Sequence, residues 1–228
     1  MSGAAGHTPP LRTRGRSAWV LAAALAVAGA APAEARSYPN IFGSKEISSS
    51  NWGVHNNVVM NWETMLQRWA NGAPCESSTC TAKPWPALVA QVKAAGDPMA
   101  MIKEANRLIN DPAQHPYIED INNWGKPEYW ATAFQFLKKS GDCEDFSIAK
   151  YMLLKAAGMP VEDMRIVAVR IRSLGGIGHA ILVVYQGNGA YVLDNRVAPV
   201  MQESLVRGEF QPAISVNEQF WWVHLPSR

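Results

Sequence analysis

The chain has 228 residues, with 21 Lys plus Arg against 19 Asp plus Glu and a formal net charge of +2. That length is enough for one substantial hydrophobic core. The near-neutral balance, without a basic block, excludes a protein held to nucleic acid by charge.

The N-terminus has the layout of an export leader. Arg12, Arg14 and Arg16 precede an apolar run from Ala18 to Ala31, which closes on Ala33-Glu34-Ala35, a small-x-small cleavage signature. The run falls short of the ~20 apolar residues needed to span a bilayer, as does every later apolar stretch. An uncleaved anchor is the alternative. Residues 1–35 are thus expected to be a cleaved signal peptide, with 36–228 a single exported domain. Cleavage removes three Arg and one Glu, so that basic and acidic residues become equal at 18 each; the slight positive charge belongs to the leader.

Three cysteines are an odd number for an exported chain. Cys75 and Cys80 bracket the loop-like stretch Glu76-Ser77-Ser78-Thr79 and could close a small disulfide loop in an oxidising compartment. Two separate thiols, or part of a metal site, are the other readings. Cys143 is left over, and an unpaired thiol in an exported protein calls for a reason.

Helical patterns come first. Val58 to Trp69 sets Val59, Trp62, Met65, Leu66 and Trp69 near one face. Pro84-Trp85-Pro86 introduces Leu88 to Ala95, and Asp97-Pro98 has the cap-plus-proline start of a helix through Ile109. Pro127 is expected to open a further helix carrying Tyr129, Trp130, Phe134, Phe136 and Leu137, ended by Ser140-Gly141. Another follows Cys143 and stops at Gly158 and Pro160. The pattern then turns to strands, at Arg165–Arg172, His179–Tyr185, Ala190–Asp194 and around Phe220–Leu225. Helices followed by an antiparallel meander predict an α+β domain.

Cys143 stands in Gly141-Asp142-Cys143-Glu144-Asp145-Phe146, at the expected helix start. The helix dipole there favours a thiolate. Asp142, Glu144 and Asp145 oppose it, since like charge raises a thiol pKa. A nucleophile at this place would want those carboxylates occupied by a cation. Oxygen-only ligands select a hard ion, and Ca²⁺ tolerates irregular geometry better than Mg²⁺; no His/Cys spacing suits zinc. The competing reading has Asp142 capping the helix, with Glu144 and Asp145 favouring its dipole.

A cysteine nucleophile needs a base, and the base needs an orienting group. His179 begins a strand after the glycine-rich Gly175-Gly176-Ile177-Gly178. His55, His115 and His224 lie where no other catalytic signal is present, and His7 goes with the leader. If the following strands form a hairpin through Tyr185-Gln186-Gly187-Asn188, His179 lies directly opposite Asp194. A turn on Asn188-Gly189 alone would separate the two by ~13 Å along the strands. Asp194 could instead be a strand-end residue held by Asn195 and Arg196.

A Cys…His…Asp order, with the cysteine at a helix start and the other two on successive strands, resembles the transglutaminase-like branch of the papain-type cysteine enzymes. Gly141-Asp142-Cys143-Glu144-Asp145, Gly178-His179-Ala180 and Leu193-Asp194-Asn195 resemble more closely the bacterial transglutaminase-like cysteine proteinases of the periplasmic LapG type. The resemblance extends over most of the mature chain, including the tryptophan-rich Trp52 to Trp69. It implies a calcium-dependent periplasmic endoprotease that cuts a large surface adhesin near an N-terminal di-alanine, releasing cells from a biofilm. It also implies sequestration by an inner-membrane receptor that senses cyclic di-GMP. Carried over, Cys143 would be the nucleophile, His179 the base and Asp194 the orienter; Asp142 and Glu144 would bind calcium, with Asp145 a third ligand. An acyl-transferring transglutaminase and a non-catalytic calcium-stabilised binding module are the rival functions.

Overall fold

The computed structural model describes residues 38–53, 55–72 and 84–226. The expected leader, with its cleavage site, and the Cys75/Cys80 pair lie outside the described residues. No helix among the described residues is long and apolar enough to cross a membrane.

Among the described residues, seven strands form one sheet. They are β1 (Lys45–Ser49), β2 (Met164–Ile171), β3 (Ile177–Gln186), β4 (Gly189–Leu193), β5 (Met201–Gln202), β6 (Phe210–Val216) and β7 (Trp221–Leu225). The order is β1-β7-β6-β2-β3-β4-β5, and the paired strands are antiparallel throughout. The helices α1 (Asn57–Ala70), α2 (Pro84–Ala94), α3 (Pro98–Ile109), α5 (Ala133–Lys139) and α6 (Cys143–Ala157) supply most of the first core. Alternation along the strands decides which side chains meet them: Leu182, Val184 and Leu193 join Trp62, Ile102, Phe136 and Leu153. The intervening residues Ile181, Val183, Tyr185 and Val192 pack with Ile41, Phe42 and Phe210 in a second cluster. The short helix α7 (Glu203–Val206) brings Val206 to that cluster. The domain is α+β, as the order of sequence patterns predicts.

Local signals explain most helix ends. The Asn56 side chain accepts from the N–H groups of Val58 and Val59, so α1 starts at Asn57. Asp97 does the same for Met99 and Ala100, with Pro98 in the first turn of α3. Gly158 takes a left-handed φ of 107° and closes α6. At the centre, Trp62 and Tyr151 meet edge to face at 5.2 Å, and the Trp62 indole donates to Asn217 O at 2.9 Å.

One helix is shorter than expected. Pro127 does not open it; α5 begins at Ala133, where Thr132 and Gln135 form a capping box. The backbone from 127 to 132 is not helical, and its N–H groups go elsewhere. Tyr129 N–H donates to the Asp120 carboxylate, and Ala131 N–H donates to Asp145 Oδ1 at 2.6 Å. The Ala131 N–H, which would have bonded to Pro127 O in a helix starting there, is thus taken by a carboxylate.

Candidate active site and cation cluster

α6 places its first residue, Cys143, beside the start of β3, an inner strand of the sheet. The turn before it is tightly held. Ser140 has φ 62°, a conformation that costs a residue with a Cβ. Its N–H donates to Phe136 O, its hydroxyl to Pro116 O, and its carbonyl accepts from Asn123 Nδ2. Ile118 N–H donates to Gly141 O at 2.9 Å. A Cβ on Gly141 would lie 2.0 Å from Asp145 Oδ2 and 2.6 Å from Asp145 Cβ. The Gly-Asp-Cys step therefore requires glycine for space. Gly141→Ala is expected to destabilise the fold by about 2 kcal/mol or more, read by thermal unfolding. An unchanged melting temperature would show that Asp145 moves aside freely.

α6 docks on β3 through Ser147. Its hydroxyl lies 2.9 Å from Cys143 O and 3.3 Å from Ala180 O. The Ala180 backbone works against the burial that raises the Cys143 thiol. That backbone is free for this because the β3–β4 ladder begins only at Leu182 and Leu193. The early end of β4 thus opens a gap in the sheet, and the start of α6 fills it. His179, the next residue back along β3, is brought to the same place.

His179 Nε2 and Asp194 Oδ1 are 2.9 Å apart, with both side chains buried. The hairpin takes neither of the two registers weighed from sequence. Gln186 pairs with Gly189, so the turn is Gly187-Asn188, with Gly187 at φ 58°. A glycine-first two-residue turn fits the strand twist. Continuing that register puts Asp194 level with Ile181, one same-face step from His179. The imidazole spans the diagonal, which is within reach of a ring. Arg196 also holds the carboxylate, with Nε and Nη2 at 3.0 and 2.9 Å from Oδ2. Asn110 Nδ2 donates to Asp194 O at 2.8 Å, tying the strand end to α3. Burial pushes the Asp194 pKa up, but the hydrogen bonds from His179 and Arg196 outweigh it and hold the group well below the usual carboxylate range.

The acidic cluster is built differently from the sequence expectation. Asp142, Glu144 and Asp120 each offer a carboxylate oxygen, all within 4.8 Å of one another. Asp120 begins the short helix α4 (Asp120–Asn123) and carries no motif of its own. Asp145 is not of that trio: its Oδ1 accepts from Ala131, and its other oxygen lies under Gly141. Asp142 stands at the helix N-cap yet makes no side-chain cap hydrogen bond, which removes the capping interpretation. Four buried oxygens, one each on Asp120, Asp142, Glu144 and Asp145, have no hydrogen-bond partner among the described residues.

Orphaned buried carboxylate oxygens are costly. The carboxylates of Asp120 on α4 and of Asp142 and Glu144 at the start of α6 converge on one place and make a donor set suited to a hard cation such as Ca²⁺. Without one, burial and then the Asp142 charge push Asp120 up to about 6. Asp142 and Glu144 are raised as well, chiefly by burial. Cys143 is raised by burial and by Glu144 and Asp142, and its Sγ lies 3.2 Å from Glu144 Oε2 in a thiol–carboxylate hydrogen bond.

A sequence profile of the bacterial transglutaminase-like cysteine proteinases matches residues 69–228. The chain belongs to this family. The structure superposes on Legionella pneumophila LapG with a TM-score of 0.53 at 27% identity, covering 61% of this chain and 76% of that one. An EGTA-treated form of the same protein matches over 61% and 74% of the two chains, again with a TM-score of 0.53 and 27% identity. Its calcium-bound form matches with a TM-score of 0.54 at 24% identity, over 70% of this chain and 87% of that one. No curated protein sequence matches. The family assignment makes the chain a LapG-like cysteine proteinase with a protein substrate.

Proposed function

We propose that the protein is an exported, calcium-dependent cysteine endoprotease that cuts a large surface adhesin near its N-terminus and so controls biofilm attachment. We place it in the periplasm, restrained there by an inner-membrane receptor that senses cyclic di-GMP. The observation that carries the reading is the His179–Asp194 pair at 2.9 Å, with Cys143 held beside the next residue of β3, Ala180, through the Ser147 hydroxyl, in a chain of this proteinase family.

With Nε2 engaged by Asp194, the His179 Nδ1 is the nitrogen left to exchange a proton with Cys143. His179 takes the thiol proton, and the thiolate attacks the scissile carbonyl carbon to give a tetrahedral oxyanion. The Cys143 N–H, at the start of α6, points positive dipole at that oxygen. Collapse breaks the C–N bond, and the leaving amine takes the proton from His179. Water then attacks the thioester, His179 removes its proton, and the acid and free Cys143 are released. Asp194 keeps the imidazole in the right tautomer throughout.

Asp120, Asp142 and Glu144 would hold calcium, which supplies positive charge beside the nucleophile and neutralises the carboxylates that disfavour its thiolate. Asp145 braces the Gly141 turn and the Ala131 backbone from the same side.

The test uses protein purified from a periplasmic fraction, where its N-terminus should lie near Arg36. It is incubated with a recombinant adhesin N-terminal fragment containing the di-alanine, with and without a primary amine. Chain cleavage in both samples supports hydrolysis. Amine incorporation without cleavage would make the protein an acyl transferase. Slow Cys143 alkylation at neutral pH together with no cleavage would make it a binding module.

A further inference from the structure

A cleft lies close to the His179–Asp194 pair and has no part in the roles above. His179 is paired with Val169 of β2, and Val169 with Pro212 of β6, in one cross-strand row. Residues so paired point to one face of the sheet. Here it is the face of the second core cluster, which holds Val169, Ile181 and Phe210. Pro212 lines a cleft of about 190 Å³ together with Phe42, Phe210, Leu225 and the side chains of Arg172 and Arg207. Neighbouring strands are about 4.8 Å apart, so the cleft opens roughly 10 Å from His179, on the imidazole's own side.

The ground between the two is apolar. Ile177, Ile171 and Phe210 form the next cross-strand row, and Ile177 is 54% exposed. Phe210 belongs to both places: Arg196, which grips Asp194, has its Cζ 5.6 Å from the Phe210 ring. The Phe42 and Phe210 rings are 5.3 Å apart. Phe42 holds φ 52°, which a bulky side chain seldom accepts. Such outliers gather where a ligand is clamped.

The charges are unequal. Arg207 donates through Nε and Nη2 to the two Glu203 oxygens, at 3.2 and 3.0 Å, so that pair is neutral. The Glu209 carboxylate accepts from the Ser173 hydroxyl. Arg172 is exposed and has no carboxylate partner among the described residues. The cleft thus carries one unmatched positive charge beside two aromatic rings. A guanidinium is matched to a planar oxyanion, and a protein chain offers that as a carboxylate. The volume falls short of the roughly 300 Å³ at which clefts for whole small-molecule ligands begin, so it suits a single side chain.

An extended chain advances about 3.3 Å per residue, and a segment leaving the reacting bond covers the distance in roughly three to five residues. We propose that the cleft is a subsite for the protein substrate. It takes an Asp or Glu side chain roughly three to five residues from the scissile bond, with Arg172 as the ionic partner and Ile177 and Phe210 under the chain between. This subsite rests on the protease reading above and adds where the substrate's charge must lie.

The experiment measures cleavage of the adhesin fragment by calcium-loaded mature enzyme carrying Arg172→Glu. The variant is expected to melt with the wild type, because the Arg172 side chain makes no ion pair in the fold. KM should rise about tenfold with kcat changed by less than about twofold, since the contact is equal in the ground and transition states. Added salt should raise the wild-type KM and barely move the variant's. Converting the substrate carboxylate to its amide should raise the wild-type KM but add little to the Arg172→Glu loss. Converting it to Lys should restore binding to Arg172→Glu. If that variant fails to fold, Arg172→Gln replaces it, with a smaller rise in KM expected and the amide test unchanged. Unchanged KM in either folded variant would overturn the subsite, and is the result expected if the cleft serves another acidic protein. A fragment with no Asp or Glu within about six residues of the cut would overturn it too. Cys143→Ala serves as the control. If it cuts at the wild-type rate, the protease reading itself fails; if it is dead while the Arg172 variants keep the wild-type KM, only the subsite falls.

Discussion

Replacing Cys143 by Ala is expected to lower kcat/KM for adhesin cleavage by at least ~10⁴-fold, leaving the chain folded. His179→Ala should do nearly as much damage, and the two changes together should cost little more than either alone. Such non-additivity is the mark of groups acting as one unit. Asp194→Asn is expected to cost less, about 10²-fold or somewhat more. The amide keeps the shape of the carboxylate but offers Nε2 a weaker acceptor, and it surrenders the Arg196 ion pair. None of the three should unfold the protein: Cys143 lies at a helix end, and His179 and Asp194 at strand ends. Melting temperatures measured beside the kinetics separate lost chemistry from lost structure. Wild-type cleavage by Cys143→Ala would sink the mechanism.

Sequence patterns located α1, α3, α6 and the central strands because each announces itself locally, by a cap, a left-handed glycine or an alternating run. Pro127 misplaces the start of α5, which the Thr132-x-x-Gln135 capping box marks. Upstream, Asp145 claims the Ala131 N–H, a competition that the Pro127 signal does not announce. β1 and β6 went unread for a similar reason. β1 is stabilised by pairing with β7, and by Glu46, which binds Arg165 at 2.7 Å and accepts from Ile41 N–H. Its own five residues are largely polar.

The candidate site divides along the same line. Cys143, His179 and Asp194 stand in short runs with the order and spacing of a known chemistry, so the sequence offers them as candidates. Their assembly is not legible there, because the hairpin register depends on whether Gly187-Asn188 or Asn188-Gly189 makes the turn. Both are plausible glycine turns, and they differ by a two-residue shift that keeps Leu182, Val184 and Leu193 on the helix-facing side, so alternation cannot choose between them. Asp120 was invisible for a simpler reason. It lies 22 residues before Asp142 and joins the cluster only because the Tyr117 and Ile118 backbone runs beside Gly141. Asp145, offered as a third ligand by the resemblance, instead accepts the Ala131 N–H through Oδ1.

Removing calcium is expected to abolish cleavage reversibly, with Ca²⁺ restoring it better than Mg²⁺. Asp120→Ala should have the same effect without a chelator. The buried oxygens on Asp120, Asp142 and Glu144 have no partners among the described residues, and the three groups repel one another and the Cys143 thiolate. Stability should follow with a definite sign. In the metal-free fold, burial and neighbouring charge raise these carboxyl groups above their unfolded values of about 4, Asp120 to about 6. A raised folded pKa contributes stability fully below the unfolded value and loses it as pH rises through the folded one. Chelated enzyme should therefore melt at a lower temperature at about pH 7.5 than at about pH 5. Calcium should reverse that slope, because it favours the ionised groups. Its stabilisation should be largest at the higher pH, on the order of 4 kcal/mol at a thousandfold excess over Kd. Thermal unfolding in EGTA and in calcium at the two pH values, alongside cleavage rates, gives both readings. Full cleavage after chelation, with no calcium-dependent melting shift at about pH 7.5, would mean that these carboxylates hold no cation and that Cys143 works beside them unaided.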